Sequence, residues 1–151
     1  MRAYLVVMDE TAEAQKALRF ASHRAMKLGD TVQILALVSQ QNFNAFGGVQ
    51  ATIEQEARDR AEVLASSAAG SIFSESGKMP TITVKVGEWQ AAIREYLSEH
   101  PEVIALVLGA AEDGSPGPLI SHFSAHSGNL PCPLYIVPGH FTNEQIDELA
   151  A

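Results

Sequence analysis

Gly109 follows the apolar run Val103-Ile104-Ala105-Leu106-Val107-Leu108 and opens the stretch 109–121. A buried strand leading through a glycine turn into a helix is how a parallel α/β sheet presents an anionic ligand site. Glu112 and Asp113, however, stand where a phosphate-binding turn wants glycine or a cation. Each carboxylate beside a triphosphate repels it by about 1 kcal/mol per charge pair at 4 Å in water, and by more when desolvated. Pro116 and Pro118 each remove a backbone N–H donor. Gly117-Pro118, read as N-cap and first helical residue, leaves the amides of Leu119, Ile120 and Ser121 free at a helix N-terminus, which suits an anion. A metal ion on Glu112 or Asp113 reverses the local sign. The competing reading is a proline-stiffened turn that binds nothing.

Other reactive side chains form weaker patterns. His122 and His126, four apart on the expected fourth helix, share a face and have zinc-ligand spacing, but no third ligand accompanies them. A plain surface pair is the simpler reading, and no metal site is assigned. Cys132 lies between two prolines, with no cation nearby to activate a thiol, and reads as a small core residue. No Ser, His and Asp have nucleophile-elbow spacing, so no catalytic residue is assigned. Trp89, after Gly87-Glu88, either caps a pocket or packs on a strand end.

The elements that must position these residues follow from hydrophobic periodicity. Tyr4–Met8 is a continuous apolar run, as expected of a strand buried on both faces. Thr11 is an N-cap; Ala14, Ala17, Leu18, Ala21, Ala25 and Leu28 recur at helical spacing, and Gly29 stops the helix. Strands are expected over 31–38, 81–86, 103–108 and 134–137. Helices are expected from Ile53 to about Ala69, with a capping box at Thr52-Gln55, from about Glu88 to Glu99, from Gly117 to Gly128, and over 143–150 after Thr142. The stretch 39–50 reads as a mobile loop, and 70–80 as another. Strict alternation of strand and helix specifies an α/β fold, an open five-stranded parallel sheet with helices on both faces.

The chain of 151 residues suits one domain with a real core. Its 18 acidic and 10 basic residues give a net charge of -8, with no basic stripe, which argues against nucleic acid or anionic membrane as partner. One cysteine excludes an intrachain disulfide and fits a reducing compartment. No run reads as a secretory leader or a membrane span, so the expected location is cytoplasmic.

Five pieces in this order carry a resemblance. Tyr4-Leu5-Val6-Val7-Met8-Asp9-Glu10-Thr11 resembles an opening strand that ends in Val-Asp-x-Ser, and Lys16–Ala21 resembles the helix after it. Val86-Gly87 through Ile93, Leu106-Val107-Leu108-Gly109, and Leu130-Pro131-Cys132-Pro133-Leu134 resemble the third turn, the fourth strand and the lead-in to the fifth. Together, over residues 1–138, they resemble the universal stress protein family, whose fold is of the adenine nucleotide alpha hydrolase type. Residues 139–151 would then be an acidic tail with a short helix.

The resemblance implies a stress-response regulatory protein, a homodimer paired through the fifth strand (Leu134–Val137), and an adenine nucleotide, ATP or AMP, at the carboxyl ends of the strands. The implied nucleotide-binding residues are Met8, Asp9, Val38, Leu108, Gly109, Gly117, Leu119, Ile120 and Ser121. Asp9 would accept from ribose hydroxyls, or favour the first helix's dipole, or both; Val38 would offer backbone groups to adenine. ATP would come with Mg²⁺, with slow hydrolysis at most. The family's phosphate motif is Gly, two residues, Gly, nine residues, then Gly and Ser or Thr. Gly109 matches its first position, while Glu112 and Ile120 replace the later glycines and Ser121 takes the hydroxyl position. A second register from Gly114 to Gly117 leaves too few residues before Pro131. The alternative is a nucleotide-free interaction protein of the same fold with a non-functional phosphate turn.

Overall fold

A computed structural model describes residues 2–9, 11–38, 47–113 and 115–151, and the backbone alone for 47–51. Five parallel strands, β1 (Ala3–Met8), β2 (Thr31–Val38), β3 (Thr81–Val86), β4 (Val103–Gly109) and β5 (Leu134–Val137), form one sheet in the order β3-β2-β1-β4-β5. The helices are α1 (Ala12–Leu28), α2 (Gly47–Ser76), α3 (Trp89–Glu99), α4 (Gly117–Ala125) and α5 (Asn143–Ala150). The chain builds outward from β1 in one direction through β2 and β3, and then in the other through β4 and β5. The carboxyl ends of β1 and β4 therefore flank the point where strand order reverses, the place where open α/β sheets leave a crevice.

β1 is central and all six of its residues are buried. Its side chains alternate between two core layers. Tyr4, Val6 and Met8 pack with α1, α2 and α5, whereas Leu5 and Val7 pack with Ile93 and Tyr96 of α3 and Phe123 of α4. Helix α1 meets the sheet through Ala14, Ala17, Ala21 and Ala25, residues small enough to let the two backbones come close. Thr11 caps it by accepting from the Ala14 amide at 3.3 Å, and Gly29, at φ 73°, stops it.

Two helices, α2 and α4, have boundaries that differ from the sequence expectation. Helix α2 begins at Gly47 and ends at Ser76, so it takes in Thr52, where a cap was expected, and continues through Gly70, where a loop was expected. The buried series Ala65, Ala68, Ala69 and Ile72 keeps helical spacing across Gly70, and this burial outweighs the roughly 1 kcal/mol that an interior glycine costs a helix. Residues 39–46, part of the expected loop, lie outside the described residues. Helix α4 ends at Ala125, and a 3₁₀ turn, Ser127–Asn129, follows it.

Residues 139–151 share the core of 1–138. The Thr142 capping box starts α5, and Ile146 and Ala150 are fully buried against the α1 side of the sheet. Outside that contact, Arg19 of α1 grips Asp147 with two hydrogen bonds of 2.8 and 2.7 Å. No helix among the described residues is long and apolar enough to cross a membrane.

Candidate functional site

A cavity of about 310 Å³ opens at the carboxyl ends of β1, β2 and β4. Val7, Leu37, Trp89 and Leu119 supply apolar walls, Asp9, Thr11 and Glu13 a polar rim, and Gly109, Ala111 and Pro116 to Pro118 the remaining side. The size and the mix of apolar walls with a few polar groups suit a small molecule.

The first sequence-derived residue, Gly109, is required by packing. A Cβ on Gly109 would lie 2.9 Å from the carbonyl carbon of Glu13 and overlap its oxygen. The end of β4 and the first turn of α1 thus touch backbone to backbone, which closes the floor of the cavity. Gly139 meets the carbonyl of Ala111 in the same way, so the turns after β4 and β5 are also in direct contact.

Asp9 ends β1 and accepts from the Thr11 amide at 2.9 Å and from the Thr11 hydroxyl. It is committed to the start of α1, with its carboxylate still on the cavity rim. Glu112 and Asp113 are not cavity residues. Lys16 of α1 lies 3.4 Å from Glu112 and also donates to the carbonyl of Gly139, strapping both turns to α1. Asp113 accepts from the Ser115 amide at 2.9 Å, and the hydrogen bonds from Ser115 hold its carboxyl below the usual carboxylate range. Among the described lining residues Asp9 and Glu13 are acidic and none is Lys, Arg or His.

The helix start also differs from expectation. With Pro116 as N-cap and Gly117 (φ 78°) as the first residue, the i to i−4 ladder already includes the amides of Ile120 and Ser121. Of the first turn only Gly117 and Leu119 keep amides without an intrahelical partner, since Pro116 and Pro118 have none. The three free amides expected at Leu119, Ile120 and Ser121 are therefore two, at Gly117 and Leu119.

Of the sequence-derived nucleotide residues, Asp9, Gly109, Gly117 and Leu119 come together on the cavity. The side chains of Met8, Val38, Leu108 and Ile120 are buried in the core, and Ser121 is exposed on α4, outside the lining. The Val38 carbonyl already accepts from the Gly87 amide at 3.1 Å. Sequence reasoning missed Val7, Glu13 and Leu37. The alternation along β1 and β2 was the available signal for Val7 and Leu37, and nothing short of the α1–β4 contact pointed to Glu13.

Trp89 walls the cavity, and its edge-on ring contacts are not with a strand end but with His122 and Phe123 of α4, with ring centroids 5.4 and 6.1 Å away. The Nε2 of His122 faces the Arg94 guanidinium at 3.4 Å, a cation where a bound zinc would have to sit. Among the described residues no group of three or more His, Cys, Asp or Glu is arranged to hold a metal. Cys132 is half-buried, and burial pushes its thiol pKa up, away from reactivity.

The comparisons with known proteins agree with this fold. No curated protein matches the chain in sequence. Its structure is similar to that of the universal stress protein UspA from Lactobacillus plantarum, at 21% identity and a TM-score of 0.76, covering 90% of this chain and 97% of that one. It is also similar to a universal stress protein family protein from Arabidopsis thaliana with AMP bound (12% identity, 91% and 92% covered, TM-score 0.60). A third similar structure is the Archaeoglobus fulgidus universal stress protein in complex with dAMP (18% identity, 91% and 97% covered, TM-score 0.52). The family model described as the universal stress protein family matches residues 1–138, and the chain belongs to that family.

Proposed function

We propose that this chain is a regulatory binding protein that takes an adenine mononucleotide into the cavity at the strand ends. The observation that carries the reading is the convergence of Asp9, Gly109, Gly117 and Leu119 on one apolar-walled cavity of about 310 Å³. In this reading the base packs between Leu37, Trp89 and Leu119, Asp9 accepts from the ribose, and the amides of Gly117 and Leu119 face the phosphate. Relatives with AMP or dAMP bound support the ligand class.

A triphosphate fits the lining poorly. Asp9 and Glu13 bring negative charge, no cationic side chain among the described lining residues offsets it, and two prolines reduce the amide donors. Mg²⁺ held by those carboxylates would offset part of that charge, so ATP is tested with and without it. The remaining parts of the reading are a family domain over 1–138 with an acidic extension over 139–151, a cytoplasmic setting, and a homodimer paired along β5. Tyr135 and Ile136 lie 37% and 42% exposed on that edge strand, apolar surface that a second copy would cover.

Trp89 is the sole tryptophan and it lines the cavity, so its fluorescence reads occupancy directly. Nucleotide-stripped protein titrated with adenosine, AMP, ATP and Mg²⁺-ATP is expected to respond saturably to AMP, at least several-fold more tightly than to ATP. Leu119→Glu is expected to abolish the response. No fluorescence change and no calorimetric heat with any of the four at millimolar concentration would overturn nucleotide binding and leave the nucleotide-free interaction protein.

A further inference from the structure

A second cluster of functional groups lies on the far side of Trp89, on the outer surface of α3 and α4. Leu119, on the cavity wall, and His122 are three residues apart on α4 and His126 follows four later, so the three lie along one helical stripe. Arg94 comes from α3. Its guanidinium sits 5.9 Å above the ring of Phe123 and 3.4 Å from Nε2 of His122. The rings of His122 and His126 lie 4.5 Å apart. His126 is tied through Nδ1 to the carbonyl of His122 at 2.8 Å, which fixes that ring.

Three basic groups therefore meet in a chain of net charge -8, and no carboxylate among the described residues forms an ion pair with any of them. Gathering these groups penalises protonation of His122, with Glu88 only partly opposing, and a bound anion relieves that penalty. Arg94 offers a planar fork of donors suited to an oxyanion, and each protonated imidazole adds a charged donor. Burial, then His126, then Arg94 hold the pKa of His122 below the ordinary histidine range, and Glu88 at the start of α3 opposes them. An anion seated here would reverse the effect of the two cations.

We propose that Arg94, His122 and His126 form a binding site for a phosphate-class oxyanion, separate from the strand-end cavity and sharing Trp89 with it. The ligand is the phosphate group itself, free or as the end of a phosphomonoester. Zinc is disfavoured at the same place by Arg94. Binding favours the protonated form of His122, so it tightens as pH falls. Because His122 holds its proton weakly, most of the gain comes below the usual histidine pKa of about 6.5.

The test is a titration of the full chain with inorganic phosphate, and in parallel with phenyl phosphate, at constant ionic strength, following the histidine ring protons by NMR. The ring signals of His122 and His126 are expected to shift saturably and the apparent pKa of His122 to rise, while the His140 signals stay still. Binding is expected to be about tenfold tighter at pH 5.5 than at pH 7.5. Arg94→Gln is expected to weaken it at least tenfold and Arg94→Lys to restore part of it. Should Arg94→Gln disturb folding, His126→Gln, at an exposed position, carries the same expectation. Equal shifts at His140, no saturation by tens of millimolar of either ligand, or preferential uptake of Zn²⁺ by the histidine pair would overturn the proposal. Response to phenyl phosphate alone would support it and assign the site to organic phosphates. The site stands whether or not the cavity binds a nucleotide, and inorganic phosphate keeps the two questions apart.

Discussion

Gly109→Ala isolates the steric role of the residue at the strand-end turn. The added Cβ would overlap the Glu13 carbonyl oxygen and lie 2.9 Å from its carbon and 3.2 Å from its Cα, all three backbone atoms. No side chain can swing away, so the end of β4 and the first turn of α1 must separate by about 1 Å to reach ordinary contact distance. Forced separation of packed elements costs about 1–3 kcal/mol, and a contact between two backbones sits at the upper end. For a chain of this length each kcal/mol moves the melting temperature by about 2–4 °C, so a fall of about 6–12 °C is expected in thermal unfolding followed by circular dichroism. Gly70→Ala is the control. That glycine lies inside α2 with open space around its Cα, and alanine there should stabilise by up to about 1 kcal/mol. Opposite signs for the two substitutions are required; a melting point for Gly109→Ala at or above the parent value refutes the argument. The same result bears on ligand experiments, because a bulkier residue at 109 would lower binding by displacing α1 without Gly109 ever touching the ligand.

Ile146→Ala, at a fully buried position of α5, should cost about 2–5 kcal/mol in urea unfolding; a loss below 1 kcal/mol would mean that α5 is not part of the cooperative core. The Asp147 carboxyl is held below its ordinary pKa first by the hydrogen bonds from Arg19, so its contribution is present above the unfolded value near 3.9 and fades as pH falls through the lower folded value. Asp147→Asn should therefore be less stable than the parent at pH 7, with the gap closing below about pH 4; a gap that stays constant with pH contradicts this. Ile136→Asp should shift sedimentation toward the monomer at micromolar concentration if β5 is the dimer edge, and a parent that is already monomeric removes that interface.

The strands and their limits were legible because parallel strands buried on both faces read as unbroken apolar runs. Tyr4–Met8 and Val103–Leu108 each fall within one residue of the observed strand; Leu134–Val137, an edge strand with Tyr135 and Ile136 exposed, was bounded instead by Pro133 and Pro138. Caps at Thr11 and Thr142 were legible because their chemistry is local. Gly70 misled because a glycine signals its own conformational freedom and says nothing of the burial that Ala69 and Ile72 gain on either side. The site was half legible. Asp9 and Gly109 mark strand ends, which sequence can find. Glu13 belongs to the cavity only because the first turn of α1 meets the end of β4 there, a consequence of strand order that no local pattern encodes. The charge of Glu112 was legible, but not its neutralisation by a lysine almost a hundred positions earlier.

That lysine makes α1 a rigid connector between distant parts of the chain. Its first turn abuts Gly109, Lys16 holds the turns after β4 and β5, and Arg19, less than one helical turn further, clasps Asp147. A change in the last helix is therefore expected to be felt at the mouth of the crevice through these contacts. Variants of the last helix should be screened for altered ligand affinity as well as for altered melting.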